Sequence, residues 1–366
     1  MSERRRAVLT GSAMTKAKFP AGRALAVLPY AVMGVVVITE FVTPTGFGLL
    51  SLMALGPAFA GLSGGKRRTA RIGAFAVLLC VVLAASDGTL GKRRVYIASI
   101  SVAGVTAAAL GAVVMRERRD AELASVRSIA EVAQRVLLRP VPRVAGALRV
   151  AVSYTSAVAQ ARIGGDLYEV VVAPGGTRVI IGDVQGKGLE AVETAALVLG
   201  AFREAAHDEA ELAGLGKRLE RALERELLGE RFVSALLVEV AAGDREATFL
   251  NFGHPAPLLA RADGTTEFPE PPHFALPLGL GVHGGDEPVP YAVPFAPGDQ
   301  LLLYTDGVSE ARDGDGTFYP LEDRVSFLKD TDPQAALERL RTDLVEHAAG
   351  PLHDDAAMLL LRHRED

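Results

Sequence analysis

The chain has 366 residues, 23% of them charged and 49% hydrophobic, with a formal net charge of −5 and a mean hydropathy of +0.24. That length suits two or three domains, and the high mean hydropathy places part of the chain in lipid. The acidic balance argues against a nucleic-acid partner. The single cysteine, Cys80, excludes an intrachain disulfide and a cysteine-rich zinc site, and the composition excludes a collagen-like, coiled-coil-only or disordered chain. The charge is unevenly divided: residues 1–120 hold 16 Lys+Arg against 5 Asp+Glu, and the remainder hold 23 against 39.

Four stretches before residue 116 carry no Asp, Glu, Lys or Arg: Ala24–Thr39, Phe41–Gly65, Ile72–Ser86 and Val95–Met115. A spanning helix needs about 20 apolar residues. The second and fourth stretches satisfy this alone, whereas the first and third must recruit flanking residues, with Glu40 or Arg71 at headgroup level. A buried helical core is the alternative, and four such stretches so close together argue against it. The expectation is an all-α membrane domain of four spans over residues 1–115. Basic clusters separate the stretches. Arg4, Arg5, Arg6, Lys16, Lys18 and Arg23 precede the first, Lys66, Arg67, Arg68 and Arg71 precede the third, and Arg116, Arg118 and Arg119 follow the fourth. An even number of spans puts all three clusters on one side, the cytoplasm by the positive-inside rule. Lys92, Arg93 and Arg94 fall on the other side and depart from the rule. A cleaved signal peptide does not explain apolar stretches that continue past the first. The absence of an ionisable residue within any stretch disfavours a transporter.

From Arg116 to Leu138 the chain lacks Gly and Pro, and Val126, Ile129, Ala133 and Val136 recur at helical spacing. Pro140 and Pro142 end this helix. It reads either as an amphipathic connector or as a signalling helix that pairs with a second copy, so residues 116–144 form a linker. After residue 145 the pattern alternates in β-branched runs: Leu148–Ser156, Leu167–Val172, Thr177–Gly182, Phe232–Val240, Ala247–Phe252, Gln300–Tyr304 and Ala357–Leu361. Helical patterns cover about Leu189–Ala206, Ala210–Leu228 and Pro333–Ala348. Many strands joined by short turns such as Pro174-Gly175-Gly176 predict a layered α+β domain with antiparallel sheets over residues 145–366.

Four segments of that domain carry the chemistry: Arg162-Ile-Gly-Gly-Asp166-Leu-Tyr168, Ile181-Gly-Asp183-Val184-Gln185-Gly186-Lys187-Gly188, Tyr304-Thr-Asp306-Gly307-Val-Ser-Glu310 and His353-Asp354-Asp355-Ala. In three of them an aspartate closes or follows an apolar strand beside a glycine, which permits a tight turn and a close ligand approach. Carboxylates converging in space repel one another unless a cation lies between them. An all-oxygen set suits Mg²⁺ or Mn²⁺ and not zinc, and a pair of such ions about 4 Å apart serves phosphoryl chemistry. Taken singly, Asp306-Gly307 is an ordinary turn and Asp354-Asp355 a solvated loop. The Gly182–Gly188 segment lacks P-loop spacing. Together and in order they point to one site.

These segments, with Asn251-Phe-Gly253-His254-Pro255-Ala-Pro257 and the lead-in Ala133-Gln134-Arg-Val-Leu137-Leu138-Arg-Pro140, resemble the PPM-type metal-dependent serine/threonine protein phosphatases. The nearest likeness is to the bacterial branch that includes stage II sporulation protein E and sigma-factor-regulating phosphatases. The resemblance covers about residues 125–363. It implies a four-layer α-β-β-α sandwich of two antiparallel sheets with two Mn²⁺ or Mg²⁺ ions at one end. It also implies that Asp183 is the bridging ligand and that the backbone carbonyl of Val184 is its neighbour. Asp166 would serve one metal, and Asp306 and Asp354 the other, with Asp355 as the alternative metal ligand because the paired aspartates leave the register open by one. The implied reaction is hydrolysis of phosphoserine or phosphothreonine on a regulatory protein of the anti-anti-sigma type, without a phosphoenzyme.

The chain departs from the family in two places. Gln185 stands where eukaryotic members carry a histidine proposed as general acid, and Gln donates no proton near neutral pH. The last motif reads Asp-Asp-Ala-Ala where a threonine is common. His254, in Gly-His-Pro, reads as a loop-holding histidine rather than a ligand. The expected protein is thus a multi-pass cell-membrane phosphatase with its catalytic domain in the cytoplasm and a homodimer contact through the linker helix. Its rivals are a catalytically weak phosphoprotein-binding module, a membrane sensor whose soluble part merely dimerises, and a two-metal nuclease, which the acidic domain disfavours.

Overall fold

The computed structural model describes residues 21–42, 49–86, 88–156, 164–227, 231–281, 284, 286–350 and 352–364. Arg162 of the first acidic segment and the N-terminal cluster from Arg4 to Lys18 lie outside the described residues. The chain forms two compact units, Met1–Leu123 and Ala124–Asp366.

The first unit is helical: α1 (Ala21–Val42), a 3-10 turn (Leu49–Ala54) leading into α2 (Leu55–Ser63), α3 (Lys66–Ser86) and the first part of α4 (Arg93–Leu137). Among the described residues three helices are long and apolar enough to cross a membrane, and the apolar helical stretch Leu49–Ser63 is shorter. Of the four expected spans, the second is represented among the described residues by this shorter stretch. Its 25 uncharged residues are divided among the end of α1, the segment 43–48 and this short stretch. Pro44, Gly46 and Gly48 are poor helix residues. The first and third stretches recruit flanking residues as expected, α1 running past Glu40 and α3 starting at Lys66.

Met33, Met53, Ile72, Ala76, Cys80 and Val102 form the interior of this unit. Small residues allow close approach: a Cβ on Gly73 would stand 2.2 Å from the Thr106 side chain, and one on Gly56 2.3 Å from Met33 Sδ. The outward faces are equally apolar, with Val35, Ile38, Phe41, Leu78 and Ile100 all exposed, which is more apolar surface than water-facing helices carry. Arg68 donates to the carbonyl of Ala26, Arg116 donates to the carbonyls of Gly61, Leu62 and Gly64, and Lys66 pairs with Glu117. The starts of α1 and α3, the end of α2 and the Arg116 turn of α4 therefore share one end of the unit.

The second unit contains two antiparallel sheets. One has the order β1 (Val144–Ala145), β2 (Leu148–Thr155), β11 (Ala356–His363), β10 (Gln300–Tyr304), β7 (Leu258–Ala260), β8 (Thr266–Glu267). The other has the order β3 (Asp166–Ala173), β4 (Gly176–Val184), β5 (Val233–Ala241), β6 (Glu246–Phe252), β9 (Tyr291–Pro294). Alternate residues of the strands build the core between the sheets, including Tyr168, Ile181, Leu236, Phe249, Leu303 and Leu359. Opposite residues of the second sheet pack under α5 (Leu189–Asp208) and α6 (Leu212–Leu227), with Phe202 fully buried. The outer face of the first sheet is covered by α8 (Pro333–His347), whose start is fixed by Pro333 and by Asp332 accepting from the Gln334 amide. These are the four layers the resemblance implied. The short strands β7 and β9 lie among Pro255, Pro257, Pro288, Pro290 and Pro294, which mask their alternation in the sequence.

A candidate active site at one end of the sandwich

The β3–β4 hairpin fixes the first two carboxylates. Its register sets Asp166 directly opposite Asp183, and Asp183 also opposes Ser234 on β5. Like charges directly across a ladder repel, so this pairing needs a compensating partner. On the other sheet β10 ends at Tyr304, and Asp306 opens the single turn α7 (Asp306–Ser309). Asp354 and Asp355 precede β11, the antiparallel neighbour of β10. The start of β3, the end of β4, the end of β10 and the start of β11 meet at one end of the sandwich, bringing Asp166, Asp183, Asp306, Asp354 and Asp355 together.

Thr305 joins the two halves. It is fully buried, its Oγ1 donates to Asp166 Oδ2 at 2.9 Å, and it accepts from the Ala357 amide at 3.0 Å. The neighbouring aspartates separate in role. Asp354 pairs with Lys187 Nζ at 2.5 Å and lines a cavity of about 280 Å³ with Asp306, Gly307, Glu310, Ala311, Arg312 and His353. Asp355 is 2% exposed and accepts from the Tyr154 hydroxyl and, at 3.3 Å, from Ser156 Oγ. Gln134 of α4 donates to Tyr154 Oη at 2.9 Å and to the Gly164 carbonyl at 3.3 Å, so the linker helix touches the second ring of the cluster.

The motif glycines are required by neighbours distant in sequence. A Cβ on Gly164 would lie 1.9 Å from Asp355 Oδ2, and one on Gly165 would lie 2.4 Å from the Val184 carbonyl and 2.9 Å from Asp183 Oδ1. Lys187 is carried between Gly186 and Gly188, whose φ angles of 95° and 94° favour glycine.

Electrostatics reflects this crowding. Asp166 is held well above the usual carboxylate range, first by burial and then by Asp183, with the Thr305 hydrogen bond opposing. Asp183 is pushed up to about 7 by burial and then by Asp306 and Asp354, against the pull of Lys187. Asp306 is raised by burial and then by Asp354. Among the described residues no three His, Cys, Asp or Glu side chains are gathered as ligands of a single ion. The donor set still fits a hard divalent cation. It is all oxygen, its carboxylates raise one another's proton affinity, and the absence of a side chain at Gly165 avoids crowding the Val184 carbonyl and Asp183.

His254 is a strut and not a ligand. Its ring nitrogens meet Ser234 Oγ at 3.0 Å and the Tyr304 carbonyl at 3.1 Å, and Asn251 brackets its backbone. It thus ties the strand opposite Asp183 to the strand leading to Asp306. Burial lowers its pKa to about 4, so the ring is neutral. With the folded pKa below the unfolded 6.5, its contribution is present above pH 6.5 and is lost as pH falls toward 4, amounting to about 3 kcal/mol over that window. His254→Gln is expected to lower Tm at pH 8, with the gap to wild type narrowing between pH 6.5 and 4. Thermal unfolding of the detergent-solubilised chain checks this, and a gap that widens on acidification contradicts it.

Sequence reasoning assigns no role to Thr305, Tyr154, Ser156 or Lys187. Thr305 and Lys187 sit inside quoted motifs, so adjacency was the available signal. Tyr154 lies in an ordinary strand and Ser156 just beyond it, and neither carries a local mark.

Residues 173–364 match the family described as stage II sporulation protein E. The chain is similar to the phosphoserine phosphatase RsbU of Bacillus subtilis (strain 168), 23% identical over 207 residues, which cover 56% of this chain and 60% of that protein. The chain therefore spans about 60% of the length of this curated relative. Among solved structures it is similar to the PP2C domain of SiaA from Pseudomonas aeruginosa, with 20% identity, coverage of 69% of this chain and 99% of that one, and a TM-score of 0.56. It is also similar to the PP2C phosphatase domain with a regulatory fragment of SpoIIE from Bacillus subtilis, at 17% identity, 60% and 64% coverage and a TM-score of 0.51. A Mycobacterium tuberculosis protein with RsbU and RsbW domains gives 24% identity, 60% and 61% coverage and a TM-score of 0.50. These likenesses establish the PP2C-type fold.

Proposed function

The chain belongs to the stage II sporulation protein E family of PPM-type phosphatases, and from that premise we propose a membrane-anchored protein serine/threonine phosphatase that acts on a phosphorylated regulatory protein. The observation that carries the reading is the meeting of Asp166, Asp183, Asp306 and Asp354, from four separate segments and both sheets, with burial and mutual repulsion raising the proton affinity of Asp166, Asp183 and Asp306.

In this reading Asp183, Asp166, the Val184 carbonyl, Asp306 and Asp354 would hold two Mn²⁺ or Mg²⁺ ions. Asp355, engaged by Tyr154 and Ser156, positions its neighbour. Bound there, such ions supply charge neutralisation at the phosphate and an acidified water at neutral pH. The chain's own residues do the rest. Thr305 orients Asp166 by donating to it, Lys187 holds Asp354 and favours ionised Asp183, and His254 keeps both halves in register. Gln185 is exposed and donates no proton to the leaving serine oxygen, which favours a slow enzyme. The same residue is what favours the second reading, a phosphoprotein-binding module of weak activity. Phosphate release from a phosphoserine peptide by the purified chain should require Mn²⁺ or Mg²⁺ and cease with chelator. Full activity in chelator would refute the assignment.

The domain reading is a membrane part over 1–115, a linker over 116–144 and a catalytic part over 145–366, the last in the cytoplasm. The shared end of α1, α2, α3 and the Arg116 turn supports placing the basic clusters on one side. A C-terminal reporter should be cytoplasmic and a probe at Lys92–Arg94 external, and the reverse would overturn this topology. The partner proposed is an anti-anti-sigma-type protein, supported by the relative whose RsbU domain accompanies an RsbW domain. On the linker, Val126, Ile129 and Val136 are exposed by 52%, 61% and 73%, which supports pairing with a second copy. Because Gln134 reaches Tyr154 and Gly164, Gln134→Ala should lower kcat about tenfold with KM little changed. Steady-state kinetics checks this, and an unchanged kcat would remove Gln134 from the coupling.

A further inference from the structure

The cavity beside Asp306 and Asp354 also contains a cation that the metal cluster does not use. Arg312 lines it together with Glu310 and His353. An arginine amid three carboxylates ordinarily pairs with one of them, yet among the described residues Arg312 forms no ion pair. Its guanidinium carbon lies instead 4.2 Å from the centroid of the Phe318 ring. Phe318 is 49% exposed, so it serves as a platform rather than core.

The backbone presenting this pair is rigid. Arg312 and Phe318 form a β-bridge. Between them the Asp313 amide donates to the Thr317 carbonyl at 3.1 Å, and Asp313 Oδ1 accepts from the amides of Asp315 and Thr317 at 2.9 Å each. Gly316, with φ of 87°, makes the tight turn. On either side Ala311 and Tyr319 are buried, and the Tyr319 hydroxyl donates to Asp343 of α8 at 2.8 Å. His347 meets the Thr317 carbonyl at 3.2 Å. A guanidinium stacked on a ring keeps its in-plane N–H donors available, and its fork matches a phosphate. A preorganised arginine also loses little freedom on binding.

We propose that Arg312 grips the phosphoryl oxygens of the substrate phosphoester and is a substrate-binding residue of this site. The proposal rests on the phosphatase reading above. It is tested with the full chain in detergent and Mn²⁺, using inorganic phosphate, p-nitrophenyl phosphate and a phosphoserine peptide as probes. Arg312→Ala should weaken phosphate binding by calorimetry about tenfold and raise KM for both substrates by a similar factor, with kcat within about threefold. Arg312→Lys should recover only part of the loss, because an ammonium lacks the fork. Phe318→Leu should give an intermediate loss. The Mn²⁺ affinity and Tm of these variants should match wild type. Unchanged phosphate affinity in Arg312→Ala, or no phosphate binding by wild type, overturns the proposal. A KM effect confined to the phosphopeptide also overturns it and moves Arg312 to an acidic side chain of the partner. If wild type binds phosphate but hydrolyses neither substrate, the phosphatase reading fails while the isotherm still decides Arg312.

Discussion

Asp183→Asn is expected to reduce phosphate release about 10³-fold while making the metal-free protein more stable at pH 8. The two effects have one origin. Asp183 faces Asp166 across the ladder and is raised to about 7 by burial and by Asp306 and Asp354. A carboxyl whose folded pKa exceeds its unfolded 3.8 contributes stability that is present below pH 3.8 and is lost as pH rises through about 7. At pH 8 the ionised group therefore opposes folding, and a neutral isostere relieves that repulsion by about 2 kcal/mol. The same group must be ionised to bind a cation, so apparent Mn²⁺ affinity should weaken as pH drops below about 7. Thermal unfolding in chelator and kinetics in Mn²⁺ read the two signatures separately. A variant that loses stability, or keeps activity within tenfold, would show that Asp183 is an ordinary structural carboxylate.

Gly307→Ala should also damage activity, about tenfold less severely, through sterics alone. The added Cβ would stand 1.8 Å from the Asp355 carbonyl oxygen and 3.3 Å from Ala356 Cα. Both are backbone atoms of the adjoining chain, so α7 and the start of β11 must separate. Asp306 and Asp354 ride on those two segments. Overpacking of this kind costs about 3 kcal/mol, and a displacement near 1 Å at a reacting centre lowers rates about 10²-fold. The expected variant is folded, has a lower Tm and is about 10²-fold slower, with a weaker response to Mn²⁺. Gly314→Ala is the control, because nothing lies within 4 Å of its added Cβ. Equal activity in the two variants would mean that the Asp306–Asp354 spacing does not matter.

The sandwich was legible because its long strands alternate and its helices keep helical spacing, as at Gln300–Tyr304 and Leu189–Asp208. The acidic residues were legible because each adjoins a strand end and a glycine. The reason for those glycines was not. Gly164 and Gly307 are constrained by Asp355, and Gly165 by Asp183 and Val184, across loops or sheets and not by their own turns. Thr305 lies beside a predicted ligand, yet its role comes from a bond to Asp166 in the other sheet. Tyr154 and Gln134 form contacts that no local pattern encodes. In the helical unit the reverse holds. The uncharged run Phe41–Gly65 promised a full span that Pro44 and its neighbouring glycines do not favour, while the shorter run at Ile72 gained length from Lys66–Arg71.

The central claim is that the carboxylates of both sheets form one divalent-cation site that drives phosphomonoester hydrolysis. Mn²⁺ should be titrated into the purified full chain at pH 8, with binding by calorimetry and phosphoserine-peptide hydrolysis followed in the same samples. Hydrolysis rising in step with saturable Mn²⁺ binding, both lost in Asp183→Asn, is the predicted result. Saturating Mn²⁺ binding without hydrolysis, or hydrolysis indifferent to Mn²⁺ and chelator, would contradict the account.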